Sequence, residues 1–206
     1  LRDGSATPAV VIDIKRIAEL RPGIREADGR VVIGATTVMT DVAASPLVRR
    51  HFPALAEAAA VVGSVQIRNR ATLAGNICNA SPAADTAPPL LVHGASVVAE
   101  GPGGTRRIPV DERFVRSGVT TLARGELVTA IELPVPAQRI ASVHVRRTRR
   151  RGHDLASVTL TCGVDAAGIT RIAYGSVGPR VLLVIDDSGG LADPAATDDA
   201  KAPLLE

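Results

Sequence analysis

Residues 66–91, QIRNRATLAGNICNASPAADTAPPLL, hold the densest grouping of chemically useful side chains in this 206-residue chain. Gly75 has no β-carbon and Ala74 is nearly as small, so backbone N–H groups here can approach an anion closely. Thr72 and Asn76 add a hydroxyl and an amide suited to phosphate or carbonyl oxygens. Further on, Ser81-Pro82-Ala83-Ala84-Asp85 supplies in Asp85 an acceptor suited to sugar or ribityl hydroxyls. Framed by apolar residues, the run can turn sharply, bring bare backbone to a ligand and re-enter a helix. It reads as a binding loop. A small-small-Asn turn is also a familiar bulge or corner, and at this level both readings stand. The run is not a dinucleotide fingerprint, because GxGxxG is absent, and not a P-loop, because no Gly-Lys-Ser/Thr follows.

Other reactive residues are scattered. Cys78 and Cys162 are the only cysteines, and no CxxC, CxxxH or HExxH spacing occurs. No metal-ligating set or protein-borne iron–sulfur cluster is expected. Cys162 reads as a small apolar strand residue. His51, His93, His144 and His153 read as surface or packing residues. Asp41 and Glu57 read as a helix cap region and a solvated helix face. Arg146, Arg147, Arg149, Arg150 and Arg151 form a basic cluster whose simplest role is a solvated edge strand that deters aggregation. No catalytic acid, base or nucleophile emerges.

The elements that must position residues 66–91 follow from periodicity and punctuation. Residues 8–14 (PAVVIDI) predict a buried strand and residues 15–20 a helical turn. Residues 31–35 predict a strand after the Asp28-Gly29 turn. A short helix capped by Thr37 or Thr40 should end near Ser45, and Ser45-Pro46 should cap the next. Residues 53–62 (PALAEAAAVV) predict a helix stopped by Gly63. Pro88 and Pro89 allow a helix only if it starts near Pro88. Strands are expected at residues 95–100, 106–110 and 126–133, with a short helix capped by Asp111 between the last two. Residues 134–139 (PVPAQR) form the best linker. Residues 142–148, 156–164 and 169–176 predict three antiparallel strands, the last two joined as a hairpin by residues 165–168. After Arg180 the pattern decays into an Asp-, Gly- and Ala-rich tail.

Composition narrows the function classes. Phe52, Phe114 and Tyr174 are the only aromatic residues and tryptophan is absent, which argues against nucleic-acid binding by base stacking. The net charge of +3 is small and almost wholly arginine, with Lys15 and Lys201 the only lysines. A basic pI is then weak support for an anionic partner. No signal-peptide pattern opens the chain and no apolar run is long enough to span a bilayer. Two thiols without such a signal point to the cytoplasm, and the Asn79-Ala80-Ser81 sequon is then coincidental. The chain opens at Leu1, not Met, and LRDGSATPAVVIDI reads like the middle of a domain, so a preceding segment is expected.

QIRNRATLAGNICNASPAAD resembles the flavin subunit of molybdenum hydroxylases, the family of carbon monoxide dehydrogenase medium chains and xanthine dehydrogenase FAD-binding subunits. Its pattern is Gln-(Ile/Val)-Arg-Asn-x-(Ala/Gly)-(Thr/Ser)-(Ile/Leu)-Gly-Gly-Asn followed by Ser-Pro-x-x-Asp. VVIGATTVMTDV before the motif, and GELVTAIELPVP and RRTRRRGHDLASVTL after it, extend the likeness to residues 1–180. The resemblance implies an α+β architecture. An FAD-binding fold of the p-cresol methylhydroxylase type would occupy residues 1–136. A small α/β C-terminal flavoprotein domain with an antiparallel sheet would occupy residues 140–206, diverging after about residue 180. It implies that Thr72, Leu73, Ala74, Gly75 and Asn76 hold FAD, that Cys78 faces the flavin and that Asp85 bonds cofactor hydroxyls. Val128 falls at a ring-contacting position. Arg146 stands where lysine is usual, with the rest of the basic cluster available to a subunit interface. Ala74 replaces the first glycine of Gly-Gly-Asn, which is tolerable if its φ is below zero. The family's second glycine-rich turn, Ala-Gly-Gly-Thr-like, precedes the part that LRDGSATPAVVIDI resembles and is absent.

The function so implied is electron transfer: FAD here would receive electrons from a 2Fe-2S small subunit, themselves drawn from a molybdenum-cofactor large subunit, and yield them to an acceptor. A flavin-less docking subunit of the same complex is the alternative from another class. A stand-alone FAD reductase of the enolpyruvyl-reductase type is the third, but its substrate domain would need an acid that the C-terminal part does not offer.

Overall fold

The structure is a computed structural model that describes residues 7–150, 152 and 154–205. Its first sheet has five antiparallel strands in the order β1-β2-β7-β3-β4: Ile24–Ala27, Arg30–Gly34, Leu127–Pro134, Ser96–Gly101 and Gly104–Pro109. Val128, Ile131 and Leu133 of the central β7 are buried in the core that the helices close over this sheet. A second sheet of four antiparallel strands runs β11-β10-β9-β8, from Leu182–Asp186 through Thr170–Gly175 and Ala156–Val164 to Ala141–Thr148. A two-stranded hairpin, β5 (Phe114–Arg116) with β6 (Val119–Thr120), follows the one-turn helix α7 (Val110–Arg113).

Six short helices connect β2 to β3: α1 (Met39–Ala44), α2 (Pro46–His51), α3 (Pro53–Val61), α4 (Val65–Arg68), α5 (Leu73–Cys78) and α6 (Ala87–Val92). Their starts follow the capping rules. Ser45 Oγ accepts from Val48 N ahead of Pro46, and Ser64 and Thr72 cap α4 and α5 in the same way. Gly63, at φ +53°, ends the run after α3 as anticipated. The first helix differs from expectation: Val38 precedes it and neither threonine caps it. Thr37 instead bonds both the N–H and the C=O of Gly23.

The layers share one core. Val31, Ile33, Ile131 and Leu133 of the first sheet join Phe52 between α2 and α3, Leu55, Leu73, Ile77 and Leu90 of the helices and Ala173 of β10 in a single cluster. Helix α5 packs on β7, α3 on β8, and α6 on β9 and β10. Residues 135–140 cross between the sheets as irregular chain, where the linker was expected.

Further expectations fail. Asp111 lies inside α7 rather than capping it, and Phe114–Arg116 is a strand rather than the end of that helix. Residues 8–13 form no strand, and Val10, Val11 and Ile12 are 71–73% exposed. β-propensity describes the fit to a sheet surface, and no described strand pairs with this run. Residues 14–16 make only a 3₁₀ turn capped by Asp13. Beyond Arg180 the chain does not decay at once: Leu182–Asp186 pairs with residues 170–174 of β10 as β11. Its run LLVID is too short to show a period by itself. A further strand, β1, adds four residues that pair with β2 across the Asp28-Gly29 turn, where the sequence pattern predicts none.

Candidate functional site

Helix α5 starts inside the conspicuous run, and its first turn is satisfied in an unusual way. Thr72 Oγ1 accepts from Gly75 N at 3.0 Å, and Leu73 N reaches out of the helix to Thr37 O at 3.3 Å. The amide of Ala74, at the second helical position, has no acceptor within its own helix. Ala74 has a negative φ, so its methyl is tolerated in place of glycine. Gly75 is needed for a different reason: a β-carbon there would lie 2.9 Å from Thr72 Oγ1 and crowd the cap. Residues 37–39 hold the turn from outside, with Val38 bridging Thr72 and Met39 N donating to Ala71 O at 2.9 Å.

The second half of the run is bound to the first through a residue that sequence reading overlooked. Thr86, fully buried, donates through Oγ1 to Asn76 Oδ1 at 2.6 Å. Its neighbour Asp85 is 7% exposed and pairs through Oδ2 with Arg146 Nη1 at 2.9 Å. The same guanidinium donates to Val61 O at 2.8 Å and Asp154 O at 2.6 Å. Arg146 thus gathers α3, the loop before α6 and the loop before β9 around one carboxylate. Lysine could not span these three oxygens with one compact ammonium. Two clamps fix the loop backbone: Gly118 N donates to Ala80 O at 3.1 Å and Ser176 N to Pro82 O at 2.8 Å.

The expected site residues therefore divide. Thr72, Ala74, Gly75 and Asn76 share one helix, and Asp85 and Arg146 share one ion pair, linked through Thr86. Leu73 is fully buried and Val128 is 3% exposed, both in the core. Cys78 lies exposed at the end of α5. A cavity of about 440 Å³ adjoins Arg146 and is lined also by Val61, Ser64, Val65, Arg68 and Thr148.

The remaining basic cluster is largely solvated. Arg149 and Arg150 are about three-quarters exposed and lie 3.3 and 4.0 Å from Asp154. Burial pushes the Asp154 carboxyl up, but Arg149's hydrogen bond and the two positive charges outweigh it and hold the group below the usual range. Arg151 and His153 lie outside the described residues. Glu57 is more than a solvated helix residue, since its Oε2 accepts from the edge-strand amide of His144 at 2.8 Å. His93 and His144 are buried, at 4% and 8% exposure. Among the described residues, no group of His, Cys, Asp and Glu could hold a metal ion. No described helix is long and apolar enough to cross a membrane.

The donor set fits a ligand that carries both phosphates and hydroxyls. Thr72 keeps its hydroxyl proton, Asn76 keeps its amide N–H groups and Ala74 offers its backbone amide. Asp85 Oδ1 and Arg146 Nε, both buried, have no hydrogen-bond partner. The profile of the FAD binding domain in molybdopterin dehydrogenase matches residues 1–136. The chain belongs to this family. It is 38% identical over 199 residues to the carbon monoxide dehydrogenase medium chain of Hydrogenophaga pseudoflava, covering 95% of this chain and 69% of that one. It is 33% identical over 174 residues to a putative xanthine dehydrogenase FAD-binding subunit of Escherichia coli, covering 82% and 60%. A solved carbon monoxide dehydrogenase from Hydrogenophaga pseudoflava, one lacking the Mo-pyranopterin moiety of its cofactor, superposes with a TM-score of 0.81 at 35% identity, covering 91% and 66%. The chain thus spans 60–69% of the length of these family members.

Proposed function

We propose that this chain is the FAD-binding electron-transfer part of a molybdenum-containing hydroxylase or dehydrogenase. It would stand between a 2Fe-2S small subunit, which draws on a molybdenum-cofactor large subunit, and an external acceptor. The observation that carries the reading is the buried Asp85–Arg146 pair, joined through Thr86 to the Thr72-capped start of α5. Bound FAD supplies the redox chemistry, and the protein supplies position and electrostatics.

In this reading the residues divide the work. Ala74 N–H, the Thr72 hydroxyl and the Asn76 amide donate to phosphate oxygens, and Gly75 keeps the approach open. Asp85 accepts from cofactor hydroxyls through Oδ1, while Arg146 compensates its charge through Oδ2. Cys78 offers exposed surface to the flavin, and Val128 and Leu73 hold the strand and helix beneath. The fold is of the p-cresol methylhydroxylase type, with residues 1–136 as the FAD domain and residues 140–206 as a second flavoprotein domain. The family relation and the names "medium chain" and "FAD-binding subunit" borne by relatives support the assignment to a complex.

FAD titration of the full-length protein, followed by flavin fluorescence, tests this. Saturable binding is expected, weakened about tenfold or more in Asp85→Asn, which loses a charged acceptor. A folded full-length protein that neither carries nor takes up flavin overturns the reading and supports the docking role instead.

A further inference from the structure

Strand β8 sends two inward-facing residues, His144 and Arg146, to the same carboxylate. Residues two apart on a strand share a face, so the pair acts as a fork around Asp85. Arg146 Nη1 bonds Oδ2 at 2.9 Å, and His144 Nε2 lies 3.7 Å from Oδ1. The other ring nitrogen, Nδ1, lies 2.9 Å from the hydroxyl of Thr161, the residue opposite on β9. The histidine side chain is 2% exposed and that of Asp85 9%. Asp85 Oδ1, His144 Nε2 and Arg146 Nε, all buried, have no hydrogen-bond partner. Native interiors rarely leave even one such atom, and three around one carboxylate call for an explanation in function.

We propose that His144 is a positioning residue for Asp85, its Nε2–H holding Oδ1 in the orientation that receives a cofactor hydroxyl. The proposal rests on the FAD reading above. Thr161 sets the tautomer. When its hydroxyl donates to Nδ1, the single proton of the neutral ring sits on Nε2 and faces the carboxylate. The 3.7 Å separation is just beyond hydrogen-bond reach, and a side-chain shift of roughly 0.5–1 Å closes it. His144 is itself anchored, because its backbone amide is held by Glu57. The arrangement follows the logic of an outer residue that orients a ligand-binding group.

The test uses the full-length protein, FAD titration by flavin fluorescence, and side-chain ¹⁵N spectra of its histidines. His144→Phe keeps the ring volume and should bind FAD about tenfold more weakly. His144→Gln, whose amide reaches the position of Nε2, should restore most of the affinity. His144→Asn, which reaches Thr161 but not Asp85, should not. The ¹⁵N shifts should report Nε2–H for His144, and Thr161→Val should disturb that preference. Equal FAD affinity in wild type and His144→Phe overturns the proposal, as does an Nδ1–H tautomer. If the phenylalanine variant does not fold, the Gln and Asn pair decides. A wild type that binds no FAD sinks the FAD reading alone, and the tautomer then decides whether His144 is coupled to Asp85.

Discussion

Arg146 holds oxygens from three segments at once, Val61 O, Asp85 Oδ2 and Asp154 O, and its energetics follow from that. Arg146→Lys keeps the charge but gives up the planar fork. It should cost about 1–2 kcal/mol in urea unfolding, the worth of one or two hydrogen bonds to a charged group. Asp85→Ala should cost more, about 3 kcal/mol, because it leaves a largely buried guanidinium without its counter-charge. His93 gives a separate, pH-dependent signature. Burial first, and the Arg171 charge second, push its pKa from 6.5 down to about 4. The unfolded state therefore binds this proton first. Stability is full above pH 6.5, falls as pH drops from 6.5 towards 4, and loses about 3 kcal/mol from this group over that window. Urea midpoints measured from pH 7 to pH 4 should show the fall, and His93→Leu should flatten it.

At the scale of elements, α5 is six residues long, too short to persist on propensity alone. It depends on the Thr72 cap, on the bridge to Val38 and on packing against β7. Thr72→Ala should cost about 1 kcal/mol. Gly75→Val should reach a similar effect from the other direction, since its side chain collides with the capping oxygen 2.9 Å away. Both should weaken FAD binding in the titration described above. The helices and strands with clear punctuation, α2, α3, α6 and the β9–β10 hairpin, were legible from Ser-Pro, Gly63, Pro88 and the Asp165–Gly168 turn. The misses were elements whose identity depends on a neighbour: β1 and β11, each four or five residues long, the β5–β6 hairpin, and the apolar run at residues 8–13, which has no described strand paired with it.

For the whole molecule, the continuous core predicts one cooperative unfolding transition. The cluster passes from β2 and β7 through the helices to Ala173 and Val181, so neither sheet can lose its packing without exposing the other's. Tyr174 on β10 is the only tyrosine and tryptophan is absent, which makes tyrosine fluorescence a reporter of the second sheet. Its urea transition should coincide with that of far-UV circular dichroism, which reports both sheets. Two separated transitions would show that the sheets fold independently.

The sequence by itself determined the conspicuous run at residues 66–91 with its small residues and polar groups, the starts of α2 and α3 at their prolines, and the family. These are properties of short contiguous segments, where φ/ψ preferences, caps and residue size act within a few positions. It could not show that Asp85 and Arg146, 61 residues apart, form one ion pair, nor that His144 lies beside it with Thr161 on its other ring nitrogen. Those relations depend on the register of β8 with β9 and on the packing of the second sheet against α3 and α6. Only the tertiary structure decided them, because burial and long-range pairing turn scattered polar residues into one site.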